Sequence, residues 1–230
     1  MQTSADPLPG ISPAGDSALL VTFGSSISPQ IHALVRNLAH QITQDPLPGV
    51  GEAVPGYATL LLHYDPQLLD WSVVEAWVRR KLADTGSVEP SPLNRVEIPV
   101  VYGGEHGPDL EDVAAYHGLA IQDVIRIHTA RDYRVYMMGF TPGFPYLGGM
   151  DPTIATPRLK TPRSRVAAGS VGIAGEQTGI YPVDSPGGWR LIGRTPLRLY
   201  DPDRQPPFLL SPGDLVRFVA VEEGEGLEWG

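Results

Sequence analysis

The chain of 230 residues contains no cysteine. This absence excludes disulfides, thiolate metal sites, cysteine nucleophiles and iron–sulfur clusters, but leaves the redox compartment undetermined. No apolar run approaches the roughly 18 residues that a transmembrane helix needs. The opening sequence MQTSADPLPG lacks the basic and apolar regions of a signal peptide. A cytoplasmic protein that does not engage a membrane is therefore expected.

Positive charge is also scarce, with a formal net charge of −9. Such a chain repels nucleic-acid phosphates, so a nucleic-acid partner is not expected. The segment 151–200 is an exception, because its seven basic and three acidic residues give it a local balance of +4. A small anion is the partner that this local charge favours. The basic residues of the segment are Arg158, Lys160, Arg163, Arg165, Arg190, Arg194 and Arg198.

The common catalytic strings are missing. The sequence has no G-x-x-x-x-G-K-[ST] phosphate loop, no G-x-G-x-x-G, no H-E-x-x-H and no G-x-S-x-G. The six histidines are scattered without metal-ligand spacing, so no metal site is predicted. The run GSVGIAG, residues 169–175, is better explained as a strand with close backbone approaches than as a phosphate cradle.

Glycine and proline, by contrast, are concentrated between Gly139 and Trp189. This stretch of 51 residues holds ten glycines and seven prolines, too many for a helix. Apolar residues recur too regularly for a disordered linker, and the intervening valine, isoleucine and tyrosine suit short strands. The stretch predicts loops held in specific turns on a β scaffold, a construction typical of binding surfaces.

The first part of the chain predicts the order β-α-β-β-α. A strand over 17–23 precedes a helix that begins with Ser28 as N-cap and Pro29 at N1. Strands near 50–54 and over 57–64 and a helix over 70–83 follow. The apolar face of the first helix is predicted to comprise Ile31, Leu34, Val35, Leu38, Ala39 and Ile42. These elements suit an α+β domain in which two helices cover a sheet.

The turn-rich segment Asp84 to Leu93 marks the expected domain boundary, giving domains 1–90 and 91–230. Beyond it, strands are predicted over 96–102, 133–138, 187–200 and 215–221. For the strand 96–102, closing the first sheet and opening the second domain are both open. Two helices are predicted over 109–117, with Asp109 as N-cap, and over 121–129. Many short strands with few helices predict a closed or nearly closed β-barrel.

The run PRLKTPR brings Arg158, Lys160 and Arg163 together between prolines that stiffen the chain. A rigid guanidinium offers paired donors and stabilises charge on a carboxylate or phosphoryl oxygen, so the run is a candidate anion site. The alternative is a solvated basic face, or ion pairs with the acidic first domain.

His128 shares a helical face with Ile121, Val124 and Ile125, which favours a core histidine with satisfied nitrogens. Its helix leads into the central loops, so a role there stays open. A triad of Ser170, His128 and Glu176 is disfavoured. For the aromatic residues of the stretch a pocket wall and a core role are both open, and core is favoured for most. They are Phe140, Phe144, Tyr146 and Trp189.

Three segments carry a resemblance to a known family: GFTPGFPYLGGM, PRLKTPRSRVAAGSVGIAGEQTGIYPVDSPGGW and SPGDLVRF. They resemble the family that includes the B subunit of 5-oxoprolinase, Kip-type inhibitors of sensor histidine kinases, and the first part of allophanate hydrolase-like carboxyltransferase domains. The resemblance covers nearly the whole chain. It implies an N-terminal α+β domain followed by a cyclophilin-like, mainly β barrel domain. One departure is Ala167, where the family usually has proline.

The resemblance implies ATP-dependent cleavage of 5-oxoproline to glutamate, together with subunits A and C, of which the latter is homologous to this chain. ATP with magnesium would be bound jointly with a partner subunit. Phosphorylation of the lactam oxygen would create a leaving group and an anion for the basic run to hold. The alternative from another functional class is a Kip-type regulator that binds and inhibits a sensor histidine kinase.

The resemblance also assigns roles to individual residues. His128 is a candidate proton-transfer residue, and Gln177 and Tyr181 are candidate positioning groups. The implied substrate-binding or phosphate-binding residues are Arg158, Lys160, Arg163, Gln177 and Tyr181.

Overall fold

The structure, a computed structural model, describes residues 9–83 and 94–224. Contacts between residues divide the chain into two units, Met1–Pro92 and Leu93–Gly230. The predicted interdomain segment, Asp84 to Leu93, lies outside the described residues. Within the described ranges, none of the helices is long and apolar enough to cross a membrane.

The first unit is an antiparallel sheet of four strands, in the order β1-β2-β4-β3, with two helices. The first strand was not predicted, because its Pro- and Gly-rich sequence suggests a loop; backbone pairing with β2 orders it. The elements are β1 (Gly10–Pro13), β2 (Ala18–Thr22), α1 (Pro29–Gln44), β3 (Val50–Pro55), β4 (Thr59–Tyr64) and α2 (Trp71–Ala83).

Helix α1 begins as predicted, with the Ser28 hydroxyl accepting a hydrogen bond from the Ile31 amide at 3.4 Å. Its buried face differs from the prediction, because Leu34 is 42% exposed while His32 is buried. The face is centred near Val35. At about 100° per residue, His32 lies about 60° from that centre and Leu34 about 100° away.

The second unit is built on a closed barrel of seven strands, in the order β10-β7-β6-β13-β5-β12-β9. Strand β13 runs parallel to β5, whereas the other pairs are antiparallel. The predicted closed barrel is confirmed. The elements are β5 (Arg95–Tyr102), α3 (Leu110–His117), α4 (Ile121–Thr129), β6 (Asp132–Met138), β7 (Pro145–Gly148), β8 (Arg163–Val166), β9 (Ser170–Ala174), β10 (Gln177–Ile180), β11 (Ser185–Gly187), β12 (Arg190–Arg194) and β13 (Leu215–Ala220).

One local prediction was wrong, and a second was correct in position only. The predicted strand over 187–200 is the last residue of β11 followed by β12, which ends two residues before Pro196, a residue without an amide donor. Asp109 is the N-cap residue of α3, as predicted, but its side chain makes no capping hydrogen bond. That carboxylate instead accepts hydrogen bonds from Arg163 and from the Leu191 amide, both at 2.7 Å.

The barrel wall separates two apolar clusters by the alternation of side chains along its strands. On β9, Val171 and Ile173 belong to the large core cluster, together with Ile192 of β12. Ala174 and Leu191 belong to a second, smaller cluster that contains the aromatic residues of the central stretch. The aromatic cluster therefore lies on the opposite face of the barrel wall from the main core.

Candidate functional site

Two glycines that face each other on neighbouring strands form the floor of the site. Gly172 of β9 pairs with Gly179 of β10. A Cβ atom at Gly179 would lie 3.0 Å from both Phe144 and Trp189, and one at Gly172 would lie 3.0 Å from the Cβ of Trp189. The absence of side chains here lets the two aromatic residues lie directly against the barrel wall.

Four aromatic rings pack edge to face on this floor, around the buried ring of Phe144. The ring centroid of Phe144 lies 4.9 Å from that of Tyr146, 5.2 Å from that of Tyr181 and 5.3 Å from that of Trp189. Edge-to-face pairs at these distances stabilise one another beyond their area of burial. The four rings form a rigid wall rather than an adaptable surface.

Beside this wall lies a cavity of about 320 Å³, which we call the aromatic pocket. It is lined by loops and short strands of the Gly- and Pro-rich stretch. Its lining residues are Phe140, Phe144, Tyr146, Arg158, Pro162, Tyr181, Pro186, Gly187, Gly188 and Trp189.

Arg158 is the charged side chain of the aromatic pocket. The central carbon of its guanidinium lies 5.8 Å from the centroid of the Trp189 ring, within range of a cation–π contact. Across residues 9–83 and 94–224, no carboxylate pairs with Arg158. The pocket thus combines apolar ring faces with one cation that has no protein counter-ion there, which suits a small ligand carrying a carboxylate or phosphate.

The tyrosines of the pocket remain neutral at ordinary pH. Burial raises the pKa of Tyr181, and a backbone hydrogen bond from Trp189 and the charge of Arg158 oppose that shift only in part. Burial likewise raises the pKa of Tyr146, against the charge of Arg158. Both phenols therefore keep their protons and act as neutral polar groups beside the guanidinium.

Lys160 and Gln177 do not line the aromatic pocket. Lys160 is exposed, and no carboxylate of the described ranges pairs with it. Gln177 is half-buried and begins β10. Of the five predicted ligand-binding residues, the structure brings Arg158 and Tyr181 together and leaves Lys160, Gln177 and Arg163 outside the pocket.

Arg163 lies in a different place. Its Nη2 donates to Oδ1 of Asp109 at 2.7 Å, and this carboxylate is buried. Arg163 lines a second cavity of about 330 Å³ with Arg165 and Arg194. Arg165 pairs with Asp184 at 2.6 Å, and the Nε of Arg194 donates to the Ala168 carbonyl at 2.8 Å. Each of these guanidiniums has at least one partner within the protein, although Nη1 of Arg163 is buried without a hydrogen-bond partner among the described residues.

His128 is wholly buried inside the barrel, where its ring lies 4.5 Å from that of Phe218. The Thr178 hydroxyl donates to the Gly172 carbonyl, so its oxygen accepts from Nε2–H of the imidazole at 3.0 Å. Nδ1 then accepts from the Tyr102 hydroxyl at 2.7 Å. Desolvation by burial lowers the pKa of His128 to about 3, and the imidazole is neutral.

This arrangement separates the residues of the disfavoured triad. Ser170 lines the second cavity, Glu176 is exposed, and both ring nitrogens of His128 are bonded to Thr178 and Tyr102. His128 also lies outside the lining of the aromatic pocket. The structure places it in the core, the alternative that its apolar helical face favoured.

The sequence analysis did not identify the roles of two residues at the candidate site. Asp109, which neutralises Arg163, was interpreted only as a helix cap, and no local pattern could reveal a partner 54 positions away. Phe140 was treated as one aromatic among several, although it alone among the described non-glycine residues has a positive φ, of 66°. Its neighbours Gly139 and Gly143 were the available signal of a tight turn.

Taken together, the fold and the site define a mixed α/β protein with a closed barrel and an aromatic, singly charged cavity on the barrel wall. Residues 9–210 match the family described as carboxyltransferase domain, subdomain C and D, and the chain belongs to this family.

Curated relatives share most of their length with this chain. It is 48% identical over 221 residues to the 5-oxoprolinase B subunit of Bacillus subtilis (strain 168), covering 91% of each chain. It is 43% identical over 212 residues to the 5-oxoprolinase B subunit of Escherichia coli O157:H7, covering 91% of this chain and 95% of that one.

Among solved structures, the crystal structure of TTHA0988 matches with a TM-score of 0.79 at 41% identity. The match covers 89% of this chain. It spans only 40% of that longer chain, so the likeness concerns less than half of that protein.

Proposed function

We propose that this protein is the B subunit of an ATP-dependent 5-oxoprolinase, which cleaves 5-oxo-L-proline to L-glutamate together with subunits A and C. The similarity to two proteins named as 5-oxoprolinase B subunits supports the proposal. The barrel is, on the same resemblance, of the cyclophilin-like type and follows an N-terminal α+β domain.

The observation that carries the proposal is the unneutralised Arg158 at the edge of an aromatic pocket. 5-Oxo-L-proline is a flat lactam ring with one carboxylate. The ring lies in the pocket beside the exposed side chain of Phe140, and the carboxylate binds the guanidinium in a charge-assisted hydrogen bond. Each half of the substrate thus has a complementary group in the pocket.

Within this pocket the side chains bind and orient the substrate. Binding the carboxylate at Arg158 fixes the direction in which the lactam amide faces, and the rigid ring wall removes freedom before the reaction. The neutral hydroxyl of Tyr181 offers a polar group beside the ring without introducing a second charge. Water is displaced from an apolar surface, which strengthens the ion pair with Arg158.

The described residues do not by themselves fit a magnesium–ATP site. They contain no group of three or more histidine and acidic side chains that could hold a metal ion. The sequence has no phosphate loop, and the cations near the pocket other than Arg158 and Lys160 are engaged within the protein. We therefore place the binding of nucleotide at a surface shared with, or supplied by, a partner subunit.

The proposal is tested by reconstitution with subunits A and C. The complex is expected to release ADP only when 5-oxo-L-proline is present, and glutamate should form in equal amount. Arg158→Ala should lower this activity, while the chain keeps its unfolding temperature. Arg165→Ala is the matched control, because Arg165 is exposed and already paired with Asp184.

Two results would contradict the proposal. One is a folded complex with A and C that shows no 5-oxoproline-dependent ADP release. The other is a chain that binds a sensor histidine kinase, suppresses its autophosphorylation and remains inactive with A and C.

A further inference from the structure

Phe140 lies at the mouth of the aromatic pocket with an unusual backbone conformation and an unusually exposed ring. Its ring lines the pocket but remains 61% exposed, and its φ is 66°. This left-handed region is disfavoured for a residue with a Cβ atom, and glycine would adopt it without steric cost. A bulky side chain is thus held in a costly conformation while most of its apolar surface meets water.

The turn around Phe140 is tight. The Thr141 amide donates to the Gly139 carbonyl at 2.8 Å, which closes a three-residue turn with Phe140 at its centre. Such turns with positive φ at the central residue are rare and strained. In the same turn the Thr141 hydroxyl is buried and lacks a hydrogen-bond partner within the described residues. Two unfavourable features therefore coincide beside one pocket.

The ring of Phe140 is oriented by its neighbours. It meets the Phe144 ring edge to face at 5.6 Å and the Tyr181 ring at 6.5 Å. These contacts fix the exposed ring on the cavity that Arg158 also lines. A flat ligand bound to Arg158 therefore has the exposed surface of Phe140 within the same cavity.

We propose that Phe140 is a specificity-determining residue of the aromatic pocket, which selects a closed lactam ring over an open-chain amide with the same number of heavy atoms. The proposal rests on the proposed substrate. A planar ring presents a flat face that the exposed Phe140 ring can cover. An open-chain amide must lose internal rotations to present such a face, so contact with Phe140 favours it less.

A matched pair of ligands isolates this effect. N-acetyl-L-alanine carries the same amide and carboxylate as 5-oxo-L-proline and has the same number of heavy atoms, but its ring is open. Binding of each is measured by calorimetry to the complex with subunits A and C in the absence of ATP. The variants are Phe140→Gly and, as a control, Phe208→Ala, which removes a partly exposed ring outside the pocket lining.

For Phe140→Gly, affinity for 5-oxo-L-proline is expected to fall about three- to tenfold, the size of a lost aromatic contact. Affinity for N-acetyl-L-alanine should change less, so that the preference for the ring decreases. The unfolding temperature should stay the same or rise, because glycine relieves the strained φ. Phe140→Tyr should retain the preference, and Phe208→Ala should leave it unchanged.

Failure of this inference is distinguishable from failure of the proposed function. If the unaltered complex binds no 5-oxo-L-proline, the proposed substrate is wrong. If it binds, and Arg158→Ala weakens binding while Phe140→Gly leaves both affinities unchanged, only the role of Phe140 is overturned. A Phe140→Gly chain that is clearly destabilised and keeps its ring preference shows a packing role and equally overturns the inference.

Discussion

The aromatic pocket and the second cavity are each lined by an arginine from the same short run, Arg158 and Arg163. The two arginines differ in whether a carboxylate of the described residues neutralises them. Arg158 faces aromatic rings and has no carboxylate partner among the described residues. Arg163, five positions later, is paired at 2.7 Å with the buried carboxylate of Asp109. The comparison shows that, within the described ranges, one basic run can contain both an arginine with a carboxylate partner and an arginine without one.

Asp109 also explains what Arg163 does. Its second oxygen accepts from the Leu191 amide of β12, so the pair connects β8 to the barrel strand and to the start of α3. The guanidinium of Arg163 compensates a charge that would otherwise be buried alone. Arg163 therefore stabilises the second unit, whereas Arg158 is available to a ligand.

At neutral pH, the largest expected effect of a substitution is on stability. Arg163→Ala leaves the buried carboxylate of Asp109 without its charge partner, and we expect the free energy of unfolding to fall by about 2–3 kcal/mol. Urea-induced unfolding measures this value. Arg165→Ala, in the exposed pair with Asp184, should change it by less than about 0.5 kcal/mol.

Binding of 5-oxo-L-proline by Arg163→Ala completes this test. Below the unfolding transition, Arg163→Ala should bind 5-oxo-L-proline as the unaltered chain does. If the variant is as stable as Arg165→Ala but has lost ligand binding, Arg163 belongs to the ligand site and the distinction between the two arginines is wrong.

The second largest effect is expected on ligand affinity when Arg158, the cation without a carboxylate partner in the described part of the chain, is removed. Arg158→Ala should weaken 5-oxo-L-proline binding by about 10- to 100-fold, because it removes a charge-assisted hydrogen bond to the carboxylate. The unfolding temperature should change little, since Arg158 is exposed. Calorimetry with 2-pyrrolidinone, which lacks the carboxylate, should show no such difference between the two proteins.

The pH dependence of stability tests the neutral imidazole under the pocket floor. Burial holds the pKa of His128 at about 3, whereas the unfolded chain takes up this proton near 6.5. Between these values the unfolded state binds one more proton, so His128 lowers the free energy of unfolding by about 1.4 kcal/mol per unit of falling pH. Above pH 6.5 this contribution is constant.

Two variants test whether His128 causes this pH dependence of stability. His128→Gln should remove that part of the acid dependence, whereas Thr178→Val should keep it, because the titrating ring remains. A slope between pH 6 and 4 that is identical in His128→Gln and the unaltered chain would show that the imidazole is already protonated in the folded state.

The smallest effect is expected at Lys160. It is exposed and lies outside the pocket, so Lys160→Ala should weaken binding of 5-oxo-L-proline by about twofold or less. Raising the ionic strength should abolish the difference, because the contribution is long-range and screened. A tenfold loss that persists at high salt would place Lys160 beside Arg158 as a direct ligand.

Local sequence was sufficient for most helices and several strands. Ser28 and Pro29 begin α1 as predicted, and α4 has its predicted bounds, because capping and the 3.6-residue period act within a few positions. β1 was missed, since its order comes from pairing with β2 rather than from its own residues. The strand predicted beyond Arg194 does not form.

The candidate site was only partly predictable, because it also depends on contacts between residues that are distant in the sequence. The Gly- and Pro-rich stretch indicated a candidate surface, the basic run indicated Arg158, and the family resemblance indicated Tyr181. The apolar helical face of His128 allowed a core position, but only its contacts with Thr178 and Tyr102 showed how both nitrogens are satisfied.

The sequence by itself determined the class of fold, the place of the candidate surface and the set of candidate arginines, because these depend on composition, periodicity and motif. Only the tertiary structure decided which arginine is left without a counter-ion. Asp109 reaches Arg163 across 54 positions, and Trp189 reaches Arg158 from another loop. A guanidinium's role depends on the groups that surround it, and the folding of distant segments brings those groups together.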